Sequence, residues 1–276
     1  MSVQIITVEL RRWIVEQTQA GLSDQAVLDA MLASGWSRSV AQGALKEVLR
    51  DKAPPPAPGA MPQPALGEAA NAVPAGDRAV QILTALNDPR VVVFGGLLEA
   101  AECDELVALA RERLSRSETV ELDTGGSEIN PARTSEGMFF ARGENPLIAR
   151  IEARISALLQ WPVENGEGLQ ILRYRPGAEY KPHYDYFDPA QPGSASILAR
   201  GGQRLASLVM YLNTPVRGGA TTFPDVGLEV MPARGNAVFF SYARPHPDTR
   251  TLHGGAPVLE GEKWVATKWL REGRFD

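Results

Sequence analysis

Residues 51–78 read DKAPPPAPGAMPQPALGEAANAVPAGDR, a run dominated by proline, alanine and glycine that shows no amphipathic period. Proline fixes φ and lacks the backbone N–H, so such a stretch neither continues a helix nor pairs inside a sheet, and it reads as a semi-extended linker. That one feature divides the chain into a small module over residues 1–50 and a larger domain over residues 79–276. With 44% hydrophobic and 22% charged residues among 276, the larger part has ample material for a core of its own.

In the small module Leu10, Trp13 and Ile14 fall at helical spacing, as do Val27, Leu28, Met31 and Leu32, and then Val40, Ala44, Leu45, Val48 and Leu49. Ser23 and Ser37 stand at N-cap positions, and Gly21 and Gly35 where the preceding helices should stop. Three short helices are therefore expected. The segment GWSRSVAQGAL resembles the last turn and helix of ubiquitin-associated-like three-helix bundles. That resemblance implies a possible protein partner, while a plain structural bundle fits the same pattern equally well.

The formal net charge of −5 offers no basic footprint, so nucleic acid is not an expected partner. A single cysteine, Cys103, excludes an intrachain disulfide framework and a cysteine-based zinc site. Within its helical pattern it reads as a packed small hydrophobe. Any bound metal must then use histidine and carboxylate. The opening MSVQIITVELRRWIVEQ lacks a basic segment followed by a continuous apolar one, and no later stretch stays apolar for about 18 residues. Neither a membrane nor export is expected, and the protein reads as cytoplasmic.

Beyond the linker, helices are expected around DRAVQILTAL and EAAECDELVALARERL, with a short strand VVVFGGL between them, and again over residues 144–159, ENPLIARIEARISALL. From residue 168 the texture changes to strands: LQILRYRP, ASLVMYLN, GLEVMPA, NAVFFSYA and KWVATKWL, separated by proline and glycine turns. Helices first and strands later predict an α+β domain whose sheets form a sandwich or barrel.

The chain has three histidines, His183, His246 and His253. In KPHYDYF, His183 and Asp185 sit at i and i+2, so on an extended segment both point to one side and can reach one ion; His253, from a distant strand, can close a triangular face. A two-histidine, one-carboxylate face leaves the opposite positions open, as iron(II) requires in order to hold a cosubstrate and dioxygen together. Alone, the HxD pair also fits two polar residues on a strand. His246 lies between prolines in RPHPDTR and reads as a non-ligand. Ten residues beyond His253, Lys263 opens the strand KWVATKWL, whose alternation puts Lys263, Val265, Thr267 and Trp269 on one face and Trp264, Ala266 and Leu270 on the other. Such a lysine is either the clamp for an anionic cosubstrate or an exposed edge residue.

From GLQILRYRPGAEYKPHYDYF through GGQRLASLVMYLNTPVRGGATTFPDVGLEVMPARGNAVFF to TRTLHGGAPVLEGEKWVATKWL, the chain resembles the catalytic domain of the prolyl 4-hydroxylases, iron(II) and 2-oxoglutarate-dependent dioxygenases. The resemblance implies a double-stranded β-helix, or jelly roll, flanked by helices. It implies His183, Asp185 and His253 as ligands of Fe(II), and Lys263 as partner of the distal carboxylate of 2-oxoglutarate. Tyr174 and Thr221 match positions lining the cosubstrate pocket. Tyr180, Arg204 and Trp269 match positions near the bound substrate, and the segment 125–137, around NPARTSEGMFF, matches a mobile lid over a peptide. Core-edge packing for the tyrosines, a turn role for Thr221 and an acidic partner for Arg204 stay open beside these roles. The reaction implied consumes O2, hydroxylates an unactivated C–H of a peptidyl proline and releases succinate and CO2, with ascorbate as reductant. Retention of Asp185 favours hydroxylation over halogenation. Hydroxylation of a free amino acid or other small molecule, a non-oxidative cupin-like metal protein, and an adaptor built around the small module are the competing readings.

Overall fold

The computed structural model describes residues 7–19, 22–50, 56, 59–67, 71–116, 119–120, 127–128 and 134–276. The chain forms two compact units, Met1–Pro55 and Pro56–Asp276. In the first, helices α1 (Val8–Gln19), α2 (Asp24–Ala33) and α3 (Arg38–Arg50) follow one another. The Ser23 hydroxyl accepts from the Ala26 N–H at 3.3 Å and the Ser37 hydroxyl from that of Val40 at 3.4 Å, satisfying first-turn donors that have no helical partner. Gly35, at φ +87°, takes the left-handed position after α2. Leu10, Ile14, Val27, Leu28, Met31, Ala41, Ala44 and Leu45 bury one another. Gly21 and the side chains of Val48 and Leu49 lie outside the described residues.

The second unit contains β1 (Ala72–Pro74), β2 (Ala79–Leu86), β3 (Arg90–Gly95), α4 (Ala100–Arg111), β4 (Ser115–Arg116), β5 (Thr119–Val120), β6 (Ser127–Glu128), β7 (Glu136–Phe140) and α5 (Pro146–Leu159). Then come β8 (Leu169–Tyr174), β9 (Tyr180–His183), α6 (Ser194–Leu198), β10 (Arg204–Tyr211), β11 (Arg217–Gly218), β12 (Thr221–Phe223) and β13 (Leu228–Val230). Strands β14 (Ala237–Ser241), β15 (His253–Gly255), β16 (Val258–Glu260) and β17 (Lys263–Arg271) complete it. Nine strands make one antiparallel sheet in the order β1-β2-β3-β14-β10-β17-β8-β7-β4, and four make a second, β13-β12-β15-β9. Leu172, Tyr174 and Val265 of the large sheet share an apolar cluster with Phe223 and Val230 of the small one, so the two sheets face each other. On the other side of the large sheet α4 and α5 supply Cys103, Leu106, Ile148, Ile151, Ile155 and Leu158 to a core that includes Trp264, Ala266 and Leu270. Helix α5 forms because its apolar residues recur at three- and four-residue spacing, Asn145 accepts from the Ile148 N–H at 3.0 Å and Pro146 occupies the first turn. No helix among the described residues is long and apolar enough to cross a membrane.

Two expectations give way. DRAVQILTAL is not helical: residues 79–86 form β2, paired antiparallel with β3, and Asn87-Asp88-Pro89 makes the turn between them. Val80, Ile82, Thr84 and Leu86 also alternate with period two, and pairing with the apolar β3 decided between the periods, a non-local term that helical spacing does not register. The stretch 51–78 is not a tether throughout. Ala60, Met61 and Leu66 pack on the larger core, Pro62 and Pro64 are buried, the Gln63 N–H donates to the Leu159 carbonyl at 2.9 Å, and residues 72–74 join the sheet as β1. Proline-rich chain loses little conformational freedom on ordering, so a few apolar contacts suffice to hold it.

Behind the sheet, Lys268 of β17 donates to Glu152 of α5 at 2.6 Å and to the Glu167 carbonyl, and Glu152 also accepts from the Gly143 N–H at 2.8 Å. Both side chains are 2% exposed, so each charge depends on the other. Lys268→Met, which strands the carboxylate, is expected to cost about 3–5 kcal/mol in chemical denaturation, whereas Lys268→Met combined with Glu152→Leu should recover much of that loss.

Candidate active site

Strands β9 and β15 pair antiparallel with His253 directly opposite His183, so two histidines 70 positions apart meet by register. Asp185 follows β9 by two residues. One ligand atom each of His183, Asp185 and His253 lie within 4.8 Å of one another. The tautomers follow from the backbone: Nδ1 of His183 lies 2.9 Å from the Lys181 carbonyl and Nδ1 of His253 lies 3.0 Å from the Thr251 carbonyl. A carbonyl oxygen only accepts, so each Nδ1 carries a proton, and each Nε2 is the nitrogen left to ligate a metal. Those Nε2 atoms stand 3.5 Å from Oδ1 and 3.5 Å from Oδ2 of Asp185 respectively. Burial pushes His253 down to about 4, so its ring is neutral at pH 7, the state that ligates a metal. Burial alone would raise Asp185, but the charge that the rings of His253 and His183 carry when protonated, with the Arg204 guanidinium, holds its carboxyl well below the usual range.

The same cavity is lined by Leu172, Tyr174, Tyr180, Thr221, Val265, Thr267, Trp269 and Lys263. The β17 alternation holds as read from the sequence: Lys263, Val265, Thr267 and Trp269 face the cavity, while Trp264, Ala266 and Leu270 enter the core behind. Lys263 is 4% exposed, and burial lowers it to about 8; no acidic partner contributes among the described residues, and its Nζ faces the rings of Tyr174 at 5.5 Å and Tyr211 at 5.9 Å. Tyr174 is its cross-strand neighbour. The Tyr211 hydroxyl donates to Thr221 Oγ1 at 2.8 Å, which leaves the threonine's own hydrogen for the cavity. Gly219, at φ +76°, carries the chain past the Lys263 stem, where a Cβ would stand 3.2 Å from Cδ.

A donor set of two imidazoles and one carboxylate, facing a buried cation without an acidic partner among the described residues, suits a divalent metal chelated by a dicarboxylate. Both charges of such a ligand would meet opposite charge, and the lysine would gain the partner it lacks.

Of the remaining expected residues, Tyr180 stacks on His183 with centroids 3.7 Å apart. Trp269 is buried, and its Nε1 has no hydrogen-bond partner among the described residues. Arg204 does have an acidic partner: its fork bonds Glu167 at 2.6 and 2.9 Å, its remaining amine reaches the Asp185 carbonyl at 3.3 Å, and its plane lies 4.0 Å from the Trp269 ring centroid. Arg271 joins the same carboxylate at 2.7 Å. Arg204 therefore braces the metal-facing loop and the tryptophan, and it is not among the residues lining the cavity. His246 is exposed and caps a short turn, accepting from the Asp248 N–H at 3.2 Å. Of the expected lid, Gly125, Gly126 and residues 129–133 lie outside the described residues, whereas Thr134 is tied to Glu179 by three hydrogen bonds and Gly137 belongs to β7.

Glu167, Ser207, Tyr211, Tyr242 and Arg271 were not anticipated. Ser207 offered a signal, as the one hydroxyl in the apolar run LASLVMYL before its tyrosine, and Glu167 another, as a carboxylate between two glycines.

Comparisons with known proteins agree with this geometry. Residues 169–271 match the family model of the 2OG-Fe(II) oxygenase superfamily. Prolyl 4-hydroxylase 2 of Arabidopsis thaliana is 40% identical over 211 residues, 68% of this chain and 69% of the relative. Prolyl 4-hydroxylase 1 of the same plant is 43% identical over 201 residues, 67% of this chain and 69% of the relative. Among solved structures, the 2OG complex of the viral collagen prolyl hydroxylase of Paramecium Bursaria Chlorella virus-1 aligns with TM-score 0.51 and 32% identity, covering 66% of this chain and 95% of that one. A prolyl hydroxylase of Trichoplax adhaerens, bound to a hypoxia inducible factor peptide, aligns with TM-score 0.51 at 15% identity over 68% of this chain and 86% of its own, a likeness of fold alone. The matched span contains His183, Asp185, His253 and Lys263, and relatives at this identity over two thirds of their length leave one conclusion: the chain belongs to the prolyl 4-hydroxylases of the 2OG-Fe(II) oxygenase superfamily.

Proposed function

We propose that the protein is an Fe(II)- and 2-oxoglutarate-dependent dioxygenase that hydroxylates an unactivated C–H of a peptidyl proline, with release of succinate and CO2. The observation that carries this reading is the acid-free, buried Lys263 in the same cavity as the three converging ligand atoms. The curated relatives named prolyl 4-hydroxylase and the collagen prolyl hydroxylase structure support proline as the target.

Bound iron with 2-oxoglutarate supplies the oxidising chemistry, placing one atom of O2 on the substrate carbon and the other in succinate. The protein's share is positioning and electrostatics. His183, Asp185 and His253 would hold the metal, and Lys263 would fix the far carboxylate of 2-oxoglutarate by a charge-assisted hydrogen bond, with the Thr221 hydroxyl and the Tyr174 ring beside it. Leu172 and Val265 keep water from the cavity floor, which strengthens every polar contact made there. On the substrate side, Trp269 lines the cavity, and Tyr180, stacked on His183, would bound the space above the metal. Arg204 acts in this proposal by holding Trp269 and the Asp185 loop. The same proposal includes the jelly-roll description of the two sheets, ascorbate as reductant, a cytoplasmic setting, and residues 1–50 as a three-helix module that recruits a protein partner.

The test is mass spectrometry of a proline-containing peptide incubated with the protein, Fe(II), 2-oxoglutarate and O2. A gain of one oxygen atom on proline with matching succinate supports the reading, and succinate release without any modified peptide class overturns it. His253→Ala and Asp185→Gly should each abolish peptide hydroxylation, because the face that holds the metal is lost. Lys263→Ala should raise the Michaelis constant for 2-oxoglutarate by about a hundredfold or more, since stranding a buried charge costs several kcal/mol and about 1.4 kcal/mol is tenfold.

The clamp also sets a pH dependence. Only protonated Lys263 pairs with a carboxylate, and in the free protein it loses its proton near pH 8. Affinity for 2-oxoglutarate should therefore be full below about pH 8 and fall as pH rises through that value, a fall that Lys263→Arg should remove. The ligand-free protein should show the opposite trend in stability: between pH 8 and about 10.4 the unfolded chain binds more protons at this lysine, so its contribution to stability rises with pH. Titrating 2-oxoglutarate binding and denaturant unfolding across that range checks both.

A further inference from the structure

Beside the carboxylate of Asp185, and not among the side chains that line the cavity, lies a pair of buried hydroxyls. Ser207, on the central strand β10 and wholly buried, donates from Oγ to Asp185 Oδ2 at 2.5 Å. Its oxygen is also 3.0 Å from the hydroxyl of Tyr242, which follows β14 and is 1% exposed. Counting protons settles the direction of the second contact. An ionised carboxylate only accepts, so the single hydroxyl hydrogen of Ser207 is committed to Asp185, and Tyr242 must donate to Ser207. The relay thus runs from Tyr242 to Ser207 to Asp185 and ends on one oxygen of the carboxylate.

That oxygen is not equivalent to its twin. A carboxylate free to turn about its own bond can chelate a cation through both oxygens or present either one. We propose that Ser207 and Tyr242 are positioning residues that lock the Asp185 carboxylate so that it offers the metal a single oxygen. The coordination position a two-oxygen carboxylate would cover is thereby kept for the cosubstrate. Ser207 is held in place by strands on both sides, opposite Phe240 of β14 and Trp269 of β17, so its hydroxyl cannot drift from the carboxylate without moving the sheet. The same hydrogen bonds hold the carboxylate in its orientation before a metal arrives, and loss of outer partners of this kind typically costs about 10–100-fold in metal affinity. The inference rests on the reading of His183, Asp185 and His253 as metal ligands, which wild-type metal binding tests separately.

The experiment is a cobalt(II) titration of the metal-free full-length protein followed by visible absorption, which reports affinity and coordination number together. Ser207→Ala, which leaves the carboxylate free to turn, should weaken cobalt(II) binding by about 10–100-fold and change band intensity as the way the carboxylate meets the metal changes. Tyr242→Phe should weaken it in the same direction by less, and Ser207→Thr should restore the wild-type values. The double variant should match Ser207→Ala alone, because Tyr242 acts only through Ser207. An unchanged affinity and spectrum for Ser207→Ala, or losses that add in the double variant, would overturn the relay. Should Ser207→Ala fail to fold, Tyr242→Phe keeps its ring in the core, and wild-type binding by that variant overturns the proposal. Failure of the wild type to bind cobalt(II) at all overturns the metal reading and the relay with it.

Discussion

Strand β17 is buried along its whole length, from Lys263 to Arg271, and its period-two alternation divides the larger unit in two. One set of side chains builds the core against α4 and α5, and the other lines the cavity. A one-residue slip would send Lys263 and Trp269 into the core and Trp264 and Lys268 into the cavity, so the register with β8 and β10 cannot be relaxed without losing both. The two buried lysines of this strand show the consequence. Lys268, pointing backward, is satisfied by Glu152 and ties helix to sheet; Lys263, pointing inward, has no acidic partner among the described residues. Placing a cation so is costly to the free protein and becomes favourable when an anion arrives, which is how a fold reserves a binding site.

Around the metal-facing trio, hydrogen bonds restrict every degree of freedom that matters. Backbone carbonyls two residues before each histidine fix which nitrogen is exposed, Ser207 holds one carboxylate oxygen, and Arg204 holds the backbone of the same aspartate. Arg204 is in turn held by Glu167, shared with Arg271 beneath the Trp269 ring. This arrangement places three charged side chains out of water yet leaves each paired, so it favours rigidity over net stability.

The pairing of His183 with Asp185, the face on which Lys263 stands and the succession of strands were legible because their signals are local: an HxD spacing on an extended segment, a lysine opening an apolar strand, and short strands with turn punctuation; His253, 70 positions on, came from the short list of histidines and the resemblance. Helices α4 and α5 were legible for the same reason, in their 3.6-residue period. What stayed hidden depends on contacts between distant positions. Glu167 meets Arg204 and Arg271 across 37 and 104 residues, and Ser207 meets Asp185 across 22, separations that only sheet register brings to zero. Strand β2 was misread because its pairing with β3, and not its own period, selected extended chain. The proline-rich stretch was misread in its second half because composition reports what a segment cannot form by itself, not what a neighbouring core will accept.

The account stands on the claim that the three ligand side chains and Lys263 are two ends of one site spanned by a single ligand. The most direct measurement is anaerobic calorimetric titration of 2-oxoglutarate into the protein with and without manganese(II), alongside glutarate, which has both carboxylates but no keto oxygen to chelate the metal. The account predicts that manganese(II) tightens 2-oxoglutarate binding by tenfold or more, on the order of 1.4 kcal/mol of coupling, and leaves glutarate nearly unaffected. Equal affinity for 2-oxoglutarate with and without the metal would contradict it.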